Sequence, residues 1–250
     1  MNVSKEPLHK QICSWRPPSE HELRADQEIH LWQATLNRPA LDVQRMEGLL
    51  SVDERERAEQ FRREIDSDRF IVRRGLLRTI LARYLHTEPN SVQFESGVHG
   101  KLRLAGKFSR SNLDFSISHS QGESLIAVGS GPVGIDLECI RPLPDVAELL
   151  DECLSPIEKK QLSSLILFDP LYCFYKCWTC KEAYLKALGI GLTLELHAVR
   201  VSFSTVESEG SAEVCNSQAE SLFVRNFFPM DGYIAAAAFP PSKPFRYFAI

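Results

Sequence analysis

The segment Val133–Glu138 constrains the fold most strongly, because apolar residues alternate in it with glycine and two acids. Strict alternation is typical of a half-buried strand, whose successive side chains point to opposite faces. Asp136 and Glu138 would therefore stand on one face, roughly 7 Å apart at their Cα atoms. The segment predicts a β-strand that pairs one apolar face with one acidic face.

Two carboxylates at this spacing favour a cation between them, because like charges this close repel unless they are neutralised. Oxygen ligands beside open positions suit Mg²⁺, which keeps water molecules and takes phosphate oxygens from a substrate. An acidic pair at alternate strand positions is also commonly a plain solvated face. The segment alone leaves both interpretations open.

A second stretch, Trp178–Ala187, adds a third acid and a cation. Glu182 and Lys186 are four residues apart on a predicted helix and share one face. By itself this spacing is that of an ordinary surface ion pair. Combined with Asp136 and Glu138, it describes a site for a metal-bound pyrophosphate.

Composition sets limits on the class of protein. The chain has 250 residues, 44% hydrophobic and 25% charged, which is enough for one large domain or two smaller ones. A net charge of −4 gives no drive toward nucleic acid. We expect no membrane partner either, because no apolar run approaches the ~20 residues of a membrane span and the polar N-terminus lacks a signal-peptide core. Seven cysteines without a disulfide framework predict a reduced, cytoplasmic protein.

The patterns along the chain predict mixed helices and strands. A leader is expected over residues 1–25. Helices are predicted over 41–50, from Ser51 to about Leu85 with a break near 65–68, from Ser155, and over 171–188. Ser51 with Glu54 is a capping-box signature. Strands are predicted over 28–34, 91–94, 101–104, 113–118, 125–129, 133–138, 196–203, 222–228 and 233–239.

A weak internal repeat links the two helical zones. Ser51 and Ser155, each preceded by leucine, lie 104 residues apart, and the same offset pairs Phe70 with Phe174 and Leu81 with Leu185. Two related α+β halves with a cleft between them would explain this. Chance similarity of two amphipathic helical stretches is the alternative.

Four ordered blocks resemble the Sfp-type 4'-phosphopantetheinyl transferases: Gly100-Lys101, Phe115–Ser120, Val133–Glu138, and Trp178–Ala187 followed by Gly189–Leu192. The resemblance is dense from about residue 50 to 192. It implies an α+β fold of two similar halves, 26–131 and 132–250, related by a pseudo-twofold axis, with the active site in the cleft between them. It also implies transfer of the 4'-phosphopantetheine arm of coenzyme A to a serine of an acyl or peptidyl carrier protein, with release of 3',5'-ADP.

The resemblance assigns roles to individual residues. Asp136, Glu138 and Glu182 would hold Mg²⁺, or Mn²⁺, on the pyrophosphate. Lys186 would add positive charge at the reacting phosphorus, and Glu182 is the candidate general base. Coenzyme A would be bound by Arg57, Lys101, Ser118, His119 and Lys186.

The segment 55–83 adds nine arginines against five acids, so a few of them are expected to face a polyphosphate. Two positions depart from the family pattern. Glu54 replaces a second basic residue, which would weaken that end of the coenzyme A site. Leu102 replaces the usual proline after Lys101, which would loosen that turn.

Two competing functions remain open from the sequence. One is a catalytically silent module that binds coenzyme A or a carrier protein. The other is a radical S-adenosylmethionine enzyme, because Cys173, Cys177 and Cys180 have the spacing of an iron–sulfur motif. Core packing of one cysteine stripe is the simpler account of that motif. A monomer is expected, since both halves lie in one chain.

Overall fold

The computed structural model describes residues 13–19, 23–191, 195–203, 209–214, 222–241 and 243–250. Most of the predicted leader, residues 1–12 and 20–22, lies outside the described residues, as does Leu192 of the last family block. The part from Cys13 to residue 19 is attached to the body. The Trp15 indole donates a hydrogen bond to the Pro229 carbonyl at 2.7 Å. The backbones of Arg16 and Phe248 form an isolated parallel β-bridge. Among the described residues, no helix combines the length and apolar character needed to cross a bilayer.

Residues 29–130 fold as helices packed on an antiparallel sheet. The elements are β1 (Ile29–Thr35), α1 (Ala40–Glu47), α2 (Val52–Glu59), α3 (Glu64–Leu85), β2 (Phe94–Ser96), β3 (Leu102–Leu104), β4 (Leu113–Ser120) and β5 (Glu123–Ser130).

The next hundred residues repeat this plan. The elements are β6 (Gly134–Cys139), α4 (Val146–Cys153), α5 (Pro156–Gln161), α6 (Ser163–Phe168), α7 (Pro170–Leu188), β7 (Val199–Phe203), β8 (Glu209–Val214), β9 (Leu222–Phe227), β10 (Tyr233–Phe239) and β11 (Phe245–Ala249).

The sheet orders confirm the predicted α+β fold of two similar halves. The first sheet runs β11-β1-β5-β4 and the second runs β6-β10-β9-β8-β7, with β2-β3 as a separate hairpin. Thus β1-β5-β4 corresponds to β6-β10-β9, and the hairpin β2-β3 corresponds to β7-β8. β11 is the exception, because it pairs parallel to β1 in the first sheet. The division of the chain at residue 131 stays a prediction.

The two sheets pack face to face, with the long helices outside. Leu31 and Leu125 of the first sheet share a buried cluster with Ile135 and Ala237 of the second. On the outer faces, α3 covers Trp32 and its neighbours, and α7 covers the second sheet. The alternation in β6 therefore works as predicted: its apolar side chains enter the core between the sheets, and the opposite face is turned toward α7.

Gly134 allows α7 to lie directly on β6. A Cβ atom built at this position would overlap the Ala183 carbonyl oxygen and would lie 2.5 Å from the Ala187 nitrogen. Those atoms belong to the helix backbone and cannot be moved aside like a flexible side chain. The acidic face of β6 is consequently held against the helix segment that contains Glu182 and Lys186.

Each half contains a buried ion pair of the same kind, between a capping-box glutamate and a basic residue of the long helix. In the first, the Ser51 backbone N–H donates to Glu54, which completes the predicted capping box, and Glu54 pairs with Arg78 at 2.7 Å. Arg78 also donates to the Val92 carbonyl at 2.7 Å.

In the second half, Glu158 caps α5 through Ser155 and pairs with the Lys181 ammonium at 2.9 Å. Lys181 also donates to the Leu196 carbonyl at 3.0 Å. Glu54 and Glu158, like Val92 and Leu196, are 104 residues apart. The weak sequence repeat therefore reflects a repeated structure.

The sheets also meet edge to edge, where β4 lies beside β6. The backbones are joined there through side chains of β4, which accept hydrogen bonds from alternate N–H groups of β6 and of the residue before it, Val133. The four pairs are Asp114 with Val133 (2.9 Å), Ser116 with Ile135 (3.1 Å), Ser118 with Leu137 (3.2 Å) and Ser120 with Cys139 (3.0 Å). We call this set the β4–β6 ladder.

Some element boundaries differ from the prediction. The helical break falls at residues 60–63 rather than near 65–68, because Arg63 is extended and its guanidinium holds Asp66 in the first turn of α3. In the predicted strand at 91–94, Ser91 ends a 3₁₀ turn and residues 92–93 belong to no helix or strand, so β2 starts only at Phe94. The pattern analysis missed α4, α6, β8 and β11.

The buried pair in the second half generates a stability prediction. Glu158→Ala leaves the Lys181 ammonium, which is fully buried, without its counter-ion. We expect a loss of about 3–5 kcal/mol in the free energy of unfolding, measured by chemical denaturation. Asp151→Ala is the matched control, because its pair with Lys159 is exposed and contributes at most about 1 kcal/mol. Equal effects of the two substitutions would contradict this reading.

Candidate active site

A cavity of about 440 Å³ opens between the two halves. Its walls come from α2 and α3 on one side and from α7 on the other. The charged residues among those that line it are mostly basic: Arg57, Arg73, Arg74, Lys101 and Lys186, with Glu182 the acid among them. A cleft of this charge is suited to a polyanionic ligand.

Asp136 lies at the acidic end, where β6 meets α7. Its side chain is almost fully buried, and its Oδ1 accepts hydrogen bonds from Lys186 Nζ at 2.6 Å and from Ser118 Oγ at 3.0 Å. Asp136 Oδ2 is also buried and has no hydrogen-bond partner among the described residues. A carboxylate oxygen desolvated without a partner is costly, and it marks a position where a cation would be stabilised.

Glu182 adds a second unsatisfied oxygen. Its Oε1 is buried without a hydrogen-bond partner among the described residues. Burial raises the pKa of the Glu182 carboxyl, and the neighbouring Asp136 and Glu138 carboxylates raise it further, against the opposing effect of Lys186. The structure thus brings together the three predicted acids and Lys186 closely enough for their charges to interact.

Glu138 is held by two donors. Ser120 Oγ donates to Glu138 Oε2 at 3.3 Å, and the Trp178 side chain also forms a hydrogen bond with this carboxylate. Burial raises the pKa of Glu138, and Asp136 adds to the shift. The sequence patterns assigned Trp178 no role in the site. Its position one turn before Glu182 was the available signal that it belongs to the site.

The carboxylates fit a divalent ion in their chemistry. Within the described ranges, no group of three or more His, Cys, Asp or Glu side chains is arranged so that it could hold a metal ion as it stands. Asp136 is instead engaged by Lys186, while one oxygen each on Asp136 and Glu182 stays unsatisfied. Anionic oxygen donors with free lone pairs are the ligands Mg²⁺ and Mn²⁺ prefer.

The basic wall was only partly anticipated. Three guanidinium groups surround the Phe70 ring, those of Arg57, Arg73 and Arg74, at 5.5–5.7 Å from its centroid. Burial, with the like charges of Arg74 and Arg57, lowers the pKa of Arg73 to about 10. The repulsion between crowded guanidinium groups decreases when an anion binds between them. The arginine-rich zone was the sequence signal, but it did not single out Arg73 or Arg74.

Glu54 explains its own departure from the family pattern. Besides pairing with Arg78, it holds Arg74 at 3.2 Å, so an acid on α2 is compensated by an arginine on α3. A positive charge is therefore still present in this region of the cleft, supplied by Arg74 of α3. The expected weakening at this end of the site stays untested.

Lys101 reaches the cleft but is fully engaged. Its Nζ donates to Asp114 Oδ2 at 2.6 Å and to the carbonyls of Val133 and Ala187 at 3.2 and 3.3 Å. An ammonium group has three N–H donors, and these contacts use all of them. A phosphate contact, as the resemblance implies, would require one carbonyl to be exchanged.

Ser118 and His119 point in different directions from β4. Ser118 faces Asp136, whereas His119 lies near Arg73 and Lys186. The His119 side chain meets solvent, but protein crowds it on the cleft side. This partial burial and the charges of Arg73 and Lys186 together lower its pKa to about 4. His119 is therefore neutral near pH 7 and offers a hydrogen bond rather than a charge.

The iron–sulfur alternative receives no support. Cys173, Cys177 and Cys180 are fully buried along α7, within the hydrophobic core. The Cys180 thiol donates to Asn226 Oδ1 at 3.0 Å, and burial raises its pKa. These side chains behave as small core residues.

Comparison with known proteins identifies the kind of cleft this is. The chain matches the family model for the 4'-phosphopantetheinyl transferase N-terminal region over residues 30–130, and that for the 4'-phosphopantetheinyl transferase superfamily over residues 132–238. The 4'-phosphopantetheinyl transferase HetI of Nostoc is 36% identical over 226 residues, covering 90% of this chain and 93% of the relative. The 4'-phosphopantetheinyl transferase Sfp of Bacillus subtilis is 25% identical over 202 residues, covering 80% and 87%.

The charge environment of His119 generates a prediction that NMR titration can check. Arg73→Gln removes a nearby positive charge, so protonation becomes easier and the His119 pKa should rise from about 4 toward its usual value. Arg45→Gln, at an exposed site on α1, is the control and should leave the pKa unchanged. A His119 pKa that does not move in the Arg73 variant would place the two groups apart.

Proposed function

Because the chain belongs to the 4'-phosphopantetheinyl transferase superfamily, we propose that this cleft moves the 4'-phosphopantetheine arm of coenzyme A onto a serine hydroxyl of an acyl or peptidyl carrier protein. The observation that supports this most directly is the pairing of two walls. One contributes Glu182, whose carboxylate interacts with those of Asp136 and Glu138, and the other contributes a cluster of arginines. Coenzyme A carries a pyrophosphate and a separate 3'-phosphate, and a cleft with these two walls would bind both groups.

Mg²⁺ is the metal we propose for the acidic end, with Mn²⁺ as an alternative of similar ligand preference. Asp136 and Glu182 would bind it through their unsatisfied oxygens, and Glu138 would be the third ligand. When bound, the ion would neutralise charge on the pyrophosphate.

The chemical step needs a base and a charge at the reacting phosphorus. Glu182 is the candidate base, because it is the acid among the residues that line the cavity, together with Lys186. A carboxylate has two oxygens, so one could bind the ion while the other accepts the proton. Glu182 would take the proton of the carrier serine hydroxyl while the serine oxygen bonds to the pantetheine-side phosphorus. The bond from this phosphorus to the bridging oxygen breaks, and 3',5'-ADP leaves. Lys186 would stabilise the charge that develops and could protonate the departing phosphate.

The nucleotide end would lie against the first half. Arg57 and Arg73 supply guanidinium groups for its phosphate, and the neutral His119 ring is close by. Arg74 is partly compensated by Glu54, so we expect it to contribute less.

The remaining parts of the proposal concern partners and compartment. An acidic carrier protein would be attracted to the arginine-rich region. A monomer suffices, since both walls of the cleft come from one chain. A reducing, cytoplasmic location is supported by the six cysteines in the described part of the chain, all of which are free thiols.

Mass spectrometry of an apo carrier protein tests the function. With coenzyme A, Mg²⁺ and this protein, we expect the carrier to gain the mass of one phosphopantetheine arm. Asp136→Ala should abolish the gain while the circular dichroism spectrum stays native, because the residue holds the proposed ion and Lys186. No gain with any of several apo carriers would favour the catalytically silent binding module instead.

Lys101 provides a second test. Lys101→Met should raise the KM for coenzyme A about tenfold and change kcat little, as expected for loss of one charge-assisted contact to a remote phosphate. Lys107→Met, outside the cleft lining, is the control. If the lysine acts only as a strut between the halves, the melting temperature will fall and KM will stay the same.

A further inference from the structure

Three serines alternate along β4 and face the backbone of β6. Ser116, Ser118 and Ser120 each accept one N–H of β6, as rungs of the β4–β6 ladder. By this measure they are equivalent. They differ in the residue that lies just before each N–H donor on β6, which is Gly134 for Ser116, Asp136 for Ser118 and Glu138 for Ser120.

Two of these hydroxyl groups make a second contact, to a carboxylate. Ser118 binds the Leu137 N–H and donates to Asp136 Oδ1 at 3.0 Å. Ser120 binds the Cys139 N–H and donates to Glu138 Oε2 at 3.3 Å. The same two-point clamp is therefore built twice, two residues apart.

Among the described residues, Ser116 Oγ makes only the hydrogen bond to the backbone. Its hydrogen-bond donor is the N–H of Ile135. The residue before Ile135 is Gly134, which has no side chain that Ser116 could hold. The chain thus contains its own control: the same residue type, on the same strand, with the same backbone partner, but with no carboxylate.

The hydrogen-bonding capacity of Ser118 is used completely. A serine hydroxyl has one donor and two acceptor positions. Ser118 Oγ donates to Asp136, and it accepts from the Leu137 N–H and from Lys186 Nζ at 3.1 Å. It therefore has no hydrogen left for a phosphate, which is the contact that the family resemblance assigns to it.

We propose that Ser118 and Ser120 are positioning residues, which fix the rotamers of Asp136 and Glu138 so that their remaining oxygens face the ion site. This rests on the proposed function, in which those carboxylates hold the metal. Engaging Oδ1 of Asp136 leaves its buried Oδ2 as the oxygen that could bind the ion. Residues that orient ligating carboxylates commonly change metal affinity 10–100-fold when removed.

The test compares Ser118→Ala with Ser116→Ala. We expect Ser118→Ala to weaken Mn²⁺ binding at least about tenfold, measured by electron paramagnetic resonance without substrate. The Mg²⁺ concentration for half-maximal transfer should rise in parallel, while the KM for coenzyme A at saturating Mg²⁺ stays unchanged. Ser116→Ala should bind Mn²⁺ as the unmodified protein does. Ser120→Ala should have a smaller effect than Ser118→Ala, because Trp178 also holds Glu138.

Three outcomes would overturn the proposal. A raised KM for coenzyme A with unchanged Mn²⁺ binding would make Ser118 a substrate-binding residue. Equal losses of Mn²⁺ affinity in the Ser116 and Ser118 variants would reduce both to rungs of the ladder. Wild-type Mn²⁺ affinity in Ser118→Cys, which keeps the size but donates weakly, would also count against it, and this variant serves if Ser118→Ala does not fold. Failure of the unmodified protein to transfer the arm would refute the proposed function, whereas the Mn²⁺ comparison would still decide the positioning role.

Discussion

The β4–β6 ladder is the contact on which the geometry of the cleft depends. Two sheets that pack face to face can slide relative to each other, because apolar contacts have little directional preference. The ladder removes that freedom, since four side chains of β4 each bind a specific N–H of β6. It also satisfies the outer edge of β6, which would otherwise present unpaired donors. The register of the two halves, and hence the distance between their charged walls, follows from it.

A second constraint acts from the opposite side of β6. Gly134 lets the backbone of α7 approach the strand, so Glu182 and Lys186 reach the acids that alternate along it. The ladder and this close contact hold β6 between them. Asp136 touches both sides, through Ser118 and through Lys186. The buried pairs of Glu54 and Glu158 play a matching part farther out, where each fixes a long helix to the segment before it.

Much of this was accessible from the sequence. The alternation of Val133–Glu138, the capping box at Ser51 and the 104-residue offset predicted a strand, a helix start and a repeated half, and the structure confirms all three. Local patterns of this kind are read from neighbouring residues. β8 and β11 were missed because neither shows a sustained apolar–polar alternation, and their strand character comes from pairing with distant partners.

The site shows the same limit. The motifs named the acids and Lys186, but not the contacts that bind them. Arg73 could not be separated from the other arginines of its helix by charge alone, and no pattern assigned a role to Trp178. The engagement of Lys101 by Asp114 and two carbonyls depends on three segments meeting at one point. No spacing rule along one stretch of sequence contains that information.

The place of β11 has a consequence for biosynthesis. β1 has β5 on one side and β11 on the other, and β11 is translated only after the entire second half. On a ribosome, the first sheet therefore waits with an open edge while nearly half of the polypeptide is still to be made. The later half must emerge and fold before the earlier one can be sealed. Maturation of this protein is thus tied to translation of residues 245–249 rather than proceeding half by half.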